Sequence, residues 1–260
     1  LYADEIISDS VAKAYAGPTT LIVNPSYNGT STTYFRSLSE AVKAVNGKYL
    51  TQNVNIYLPS SGTDVYDPSG VLIQGVTGPG RLMIYGYSTF RLNSYIKVYG
   101  CSAHIYFQSV SLRECRALSG SNRNPYLLEC VTSTYVELMG CTLDANGTTY
   151  DAIYCRSSTV HLQTVGMYNA IQGLEVYLAH AVVHNCKGSC TWAMVTYAGY
   201  IIATGTVPNG SRVAGNNGQL FDANVTVDYG TAIPVVVPDS TTVQYATLTK
   251  SYRGGWRSDT

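Results

Sequence analysis

The sequence predicts an all-β chain wound as a single-stranded parallel β-helix, and three observations carry that prediction. Four segments follow one template: Ile105-x-Phe107-x-x-Val110-x-Leu112, Val136-x-Leu138-x-x-Cys141-x-Leu143, Val160-x-Leu162-x-x-Val165-x-Met167 and Ala181-x-Val183-x-x-Cys186-x-Gly188. Ile201-x-Ala203-x-x-Thr206 continues it more weakly, and the anchors lie 31, 24, 21 and 20 residues apart, the length of one solenoid coil. A second run precedes each anchor: Leu128-Glu129-Cys130, Ile153-Tyr154-Cys155, Leu174-Glu175-Val176 and Met194-Val195-Thr196. The i, i+2 step is a strand period, and the extra residue before the third position marks a bend. Two strand ladders fill so short a coil and leave no space for a helix.

The elements follow in order. Residues 1–20 are a lead-in ending at Gly17-Pro18, and Leu21-Ile22-Val23 is a short strand before a turn-rich stretch. Ser37-Leu38-Ser39-Glu40 reads as a capping box, with Leu38, Ala41, Val42 and Val45 as the apolar stripe of a helix that Asn46-Gly47 stops. One amphipathic helix ahead of a solenoid is expected to cap its open end, where unpaired edges would otherwise recruit other chains. Val54 to Leu58, Val71-Leu72-Ile73 and Leu82 to Tyr85 form the first, less regular coils, and Arg116 to Tyr126 is an overhanging insertion. The template fails near Pro208-Asn209-Gly210. The expected organisation is therefore a lead-in and capping helix over 1–49, the parallel β-helix over 50–210, and a non-helical, β-rich segment over 211–260 that makes inter-chain contacts. Beginning at Leu1 rather than Met, the sequence reads as a piece of a longer protein.

Composition narrows the function classes. Only 12% of the 260 residues are charged, while Tyr reaches 23 and Gly 24, a strand-and-turn composition. The formal net charge is zero and no Lys/Arg run occurs, which argues against nucleic acid and anionic membranes as partners. No stretch has the apolar length of a membrane span, and no signal peptide is visible. The seven cysteines include no Cys-x-x-Cys pair. Cys101, Cys141 and Cys186 fall at an inward template position, Ile96-x-Val98-x-x-Cys101 supplying the earliest copy, where they read as small core residues rather than a disulfide or metal framework. His180 and His184 project about 13 Å apart along a strand, too far to share an ion. The four histidines thus form no metal site, and with Gly-rich phosphate loops and nucleophile elbows absent nucleotide binding and triad hydrolysis drop out, so no cofactor is expected.

The order of strand, helix at Ser37 to Val45, strand Val54 to Leu58, Gly78-Pro79-Gly80 turn and stacked coils resembles the pectate-lyase-like right-handed β-helix proteins. Among these the Tyr-, Gly- and Ser-rich, charge-poor texture is most similar to bacteriophage tail spikes, appendages and receptor-binding proteins. The ending Lys250-Ser251-Tyr252-Arg253-Gly254-Gly255-Trp256-Arg257 also resembles tail-fibre ends of phages and prophages of Gram-positive hosts. That resemblance implies a homotrimer on a virion, extracellular when acting, with a bacterial cell-surface polysaccharide and other tail or baseplate proteins as partners. Pectin chemistry is not expected, because Asn-Thr-Asp, Asp-Asp and Arg-Ile-Lys are all missing.

A polysaccharide hydrolase on such a fold needs two carboxylates on one outer face, one to protonate the leaving oxygen and one to activate water or attack. Glu129, Tyr154 and Glu175 occupy equivalent outward positions on successive coils. At about 4.8 Å per coil the two glutamates stand about 10 Å apart at Cβ with a tyrosine between them. They are the candidate catalytic pair, with Asp144 and Asp151 in the inter-coil loop as further candidates and Glu114 and Glu137 equally selectable. Outward glutamates also serve simply to solvate a strand face. The candidate carbohydrate-binding residues are Tyr106, Tyr135, Tyr154 and His161, since aromatic rings present flat apolar contact with a polar tip. Tyrosine is also simply a good strand residue at a half-wet site. Outward Met139, Val182 and Ile202 suggest that part of this face packs on another subunit. Binding, cleavage and a purely structural spacer all remain open at this stage, with binding favoured for want of a catalytic motif.

Overall fold

The computed structural model describes residues 12–60, 65–66, 70–87, 91–113, 126–145, 151–215, 217–227, 235–236 and 246–248. Among the described residues the chain is all-β apart from one short helix, and all the strand pairings are parallel. An 11-stranded sheet carries Arg81–Tyr85, His104–Gln108, Val136–Met139, Thr159–Gln163, His180–His184 and Tyr200–Val207 in succession; this is the first face. A 13-stranded sheet curls around the rest and contains two ladders. The second face comprises Ser111–Arg113, Thr142–Asp144 and Gly166–Tyr168; the third comprises Val71–Gln74, Ile96–Tyr99, Tyr126–Val131, Asp151–Arg156 and Gln172–Tyr177. Strand Lys187–Tyr197 pairs with both ladders and joins them.

The sequence suggested two ladders per repeat; there are three. The third and fourth template positions, such as Cys141 and Leu143, lie beyond a left-handed backbone corner and begin or enter a separate strand. That corner is Ser109, Gly140, Thr164 and Asn185 in successive repeats, all with φ between 50° and 62°. Each donates its N–H to the next repeat, as Gly140 does to Gln163 O at 2.9 Å, so the bend itself is hydrogen-bonded. Ile96–Tyr99 pairs in the third face rather than the first, which places Cys101 at a different corner from Cys141 and Cys186.

Inward residues stack in register because parallel pairing places identical positions about 4.8 Å apart. Ile105, Val136 and Val160 form one column, and Phe107, Leu138, Leu162 and Val183 the next, none more than 2% exposed. Cys101, Cys141 and Cys186 are buried, as expected, and Cys141 Sγ donates to Phe107 O at 3.5 Å. Six described cysteines are free thiols; Cys115 lies outside the described residues. Burial drives the Cys141 and Cys155 thiols up to about 12, which makes them inert fillers.

The helix spans Leu38–Lys43 and buries Leu38, Ala41 and Val42. Ser37 Oγ accepts the Glu40 N–H at 3.2 Å, while Glu40 Oε2 reaches one residue further back than a capping box requires, to Arg36 N–H at 2.9 Å. Asn46 clamps the helix end to the third face through Leu72 O at 2.8 Å and the Gln74 N–H at 2.9 Å. Where the template fades, pairing continues: Asn209–Gly215 pairs with Lys187–Tyr197, and Gln219–Val227 with Tyr200–Val207, across register shifts. The shifts blur the period without breaking the ladder. The Arg116 insertion, Glu114 and the Lys250 to Arg257 ending lie outside the described residues.

Candidate functional site

The third face gathers the candidate catalytic residues. Its strands share an outward, inward, inward, outward opening: Tyr126-Leu127-Leu128-Glu129, Asp151-Ala152-Ile153-Tyr154 and Gln172-Gly173-Leu174-Glu175. This bend sets two outward columns side by side. Glu129, Tyr154 and Glu175 register in one column, as the sequence implied, and Tyr126 registers with Asp151 in the other. Asp151 therefore starts a strand and Asp144 ends one; neither sits in a loop as expected.

The two glutamates have different surroundings. Glu129 is ion-paired to Lys97 at 3.0 Å. Glu175 is hydrogen-bonded to Asp151 and flanked in register by Val195, which is outward in position yet fully buried. Burial, then the Asp151 charge and the hydrogen bond to it, push Glu175 up to about 7. Burial raises Asp151 to about 6, offset by the Gln172 N–H at 3.1 Å and by the bond from Glu175. The hydrogen bond favours the proton on Glu175 and the charge on Asp151, so the two carboxyls titrate as a pair. Tyr126 lies flat against Tyr154, centroids 4.4 Å apart at 12°, and burial with the surrounding carboxylates drives its hydroxyl up to about 12. Arg156 rests over the Tyr177 ring at 5.7 Å.

Chemically, Asp151 and Glu175 are too close to act as the two partners of a glycosidase, which stand about 5 to 9.5 Å apart. Glu175 and Glu129, two repeats apart at about 10 Å between Cβ atoms, are the pair that can flank a glycosidic oxygen. Glu175 then holds a proton near neutral pH, because burial first, and then the Asp151 charge and the bond to it, raise its proton affinity.

The other candidates split between faces. Tyr154 belongs to the third face, whereas Tyr106, Tyr135 and His161 converge on the first around Glu137. Glu137 lies between His104 Nε2 at 3.0 Å and His161 Nδ1 at 3.7 Å, and the Tyr135 hydroxyl meets His161 Nδ1 at 3.1 Å. Burial first, then the Arg81 charge, lower His104, with Glu137 opposing. Tyr106 donates to Met139 Sδ at 3.1 Å, so this outward methionine has a polar neighbour of its own. Among the described residues, no group of three or more His, Cys, Asp or Glu is placed to hold a metal ion, and no helix is long and apolar enough to cross a membrane.

Sequence reasoning passed over Tyr126 and Lys97, and left Asp151 without its partner. For Tyr126 and Asp151 the signal was the doubled inward step, repeated in Trp192-Ala193-Met194-Val195, which a strict alternation hides, whereas Lys97 meets Glu129 by plain register. Comparison of the chain with protein-family profiles, with curated proteins and with solved structures gave no match.

Proposed function

We propose that this protein is a right-handed parallel β-helix that binds a bacterial surface polysaccharide, as a receptor-binding component of a phage or phage-like tail. The observation that carries the binding reading is the stacked Tyr126–Tyr154 pair set beside the hydrogen-bonded Asp151 and Glu175, all half-buried on the third face. Flat rings cover the apolar face of a sugar, and carboxyls accept its hydroxyls, so one patch supplies both kinds of contact. The tail assignment draws on the resemblance of texture and element order. The helix Leu38–Lys43 serves as the cap of the first repeats in this reading, and outward Val182 and Ile202 belong to the packing of a homotrimer. Sedimentation at micromolar concentration tests the trimer; a monomer overturns it.

A second reading, polysaccharide depolymerase, is favoured by one specific feature, the elevated proton affinity of Glu175 two repeats from Glu129. The experiment that separates the readings incubates purified protein with extracted bacterial surface polysaccharide and follows retention and chain length together. Retention without shortening supports binding. Shortening that Glu175→Gln or Glu129→Gln abolishes establishes the enzyme, and neither effect on several extracts contradicts both.

A further inference from the structure

The described surface holds a second feature, away from the carboxyl pair. At the corner between the third and first faces lies an open groove of about 550 Å³, within the size of small-ligand sites. It crosses three successive repeats, about 10 Å of stacked backbone, and is lined by Thr132, Thr134, Ser157, Thr159, Leu178 and His180, with the buried Ser133 and Ser158 at its base.

The base serines are already engaged. Ser133 Oγ donates to Val131 O at 3.2 Å and accepts the Cys101 N–H, while Ser158 Oγ donates to Arg156 O at 3.0 Å and accepts the Ser133 N–H. The four rim hydroxyls make no hydrogen bond to another described residue, so each has a donor and acceptor capacity free for a ligand. Thr159, His180 and Tyr200 stand in register at its first-face edge, and the His180 ring, which lines the groove, lies on the Tyr200 ring just beyond it with centroids 4.0 Å apart at 23°.

The backbone adds a second argument. This corner always takes a left-handed residue, and Gly75 and Gly100 fill it in the two preceding repeats. In the three repeats that line the groove it is Thr132, Ser157 and Leu178, at φ of 51°, 49° and 49°, with Ala198 following. A non-glycine residue in that conformation costs about 1–2 kcal/mol. The groove repeats thus keep side chains where the earlier ones do without.

We infer that this groove binds an uncharged stretch of glycan through the rim hydroxyls of Thr134, Ser157 and Thr159, with Leu178 and the His180–Tyr200 stack against its apolar face. Hydroxyls that both donate and accept match sugar hydroxyls, and among the described residues of the lining His180 is the only ionisable one, so a uronate or phosphate would find no fixed counter-charge from them. The inference rests on the polysaccharide-binding reading and adds a site distinct from the Tyr126–Tyr154 patch.

The test is affinity electrophoresis in gels containing extracted bacterial surface polysaccharide, a neutral glucan, a neutral mannan or a polyuronate. Thr134→Val with Thr159→Val removes two hydroxyls at constant shape, Ser157→Trp fills the groove, and Tyr154→Ala reports on the other patch; circular dichroism confirms that each variant is folded. A folded double-valine variant is expected to lose about tenfold in affinity for the retarding neutral polymer. Loss with Tyr154→Ala and none with either folded groove variant overturns the groove while leaving polysaccharide binding intact. Preference for the polyuronate overturns the uncharged class, and retardation by none of the four polymers overturns both readings.

Discussion

The Asp151–Glu175 pair makes stability fall as pH rises through neutrality. Glu175 titrates at about 7 in the folded chain against an ordinary 4.5, and Asp151 at about 6 against 3.8. Both folded values are raised, so the folded state holds protons that the unfolded state has released. The stabilisation is complete below about pH 4 and is lost as pH climbs through 6 and 7. At about 1.4 kcal/mol per pH unit, the Glu175 displacement alone has an upper limit of about 3 kcal/mol. Both carboxyls remain partly open to water, so screening reduces the expected loss to about 1–2 kcal/mol for the pair. His104 works in the opposite sense, because its lowered folded value withdraws stability as pH falls below 6.5. Most of the pair's loss falls below pH 6.5, so the clean window, pH 6.5 to 8, catches its last part, a few tenths of a kcal/mol and chiefly from Glu175. Urea unfolding across it should show wild type losing stability while Glu175→Gln stays level and exceeds wild type at pH 8. A wild-type stability that rises through this window, or a slope unchanged in Glu175→Gln, refutes the shared-proton account.

Three further outcomes concern the fold. Leu138→Ala should cost about 2–4 kcal/mol by chemical denaturation, since Leu138 is 2% exposed and stacks between Phe107 and Leu162. Gly188→Ala should prevent soluble folding or lower the midpoint sharply, because Gly188 has φ of 125° and a Cβ there would overlap Met167 O. Thr164→Gly should stabilise by about 0.5–1 kcal/mol in thermal melts, as an exposed β-branched residue at φ of 55° gives up more strain than glycine adds in chain entropy.

The parallel stacking was legible because it rests on a period-two pattern with a fixed bend, and burying Ile105, Val136 and Val160 in one column admits one register. The Glu129, Tyr154 and Glu175 column followed from the same arithmetic. The third ladder was hidden inside the template, where Cys141 and Leu143 read as a continuation of the strand before the left-handed corner at Gly140. Asp151 escaped because two inward residues follow it, Ala152 and Ile153, which shifts it out of alternation with Tyr154. The corner groove left no trace of its own: serines and threonines there look like ordinary turn residues, and only the stacking of three corners makes a concave surface of them. The division of the sugar-binding candidates, Tyr154 on one ladder and Tyr106, Tyr135 and His161 on another, was legible from the same two runs of strands.

The central claim is that the Tyr126–Tyr154 patch binds polysaccharide. Titration of wild type, Tyr126→Ala and Tyr154→Ala with extracted bacterial surface polysaccharide, each variant shown folded by circular dichroism, tests it most directly. Wild type should bind and each alanine variant should weaken binding about tenfold or more, as removal of a central aromatic contact does. Binding by wild type that survives both substitutions unchanged would contradict the account.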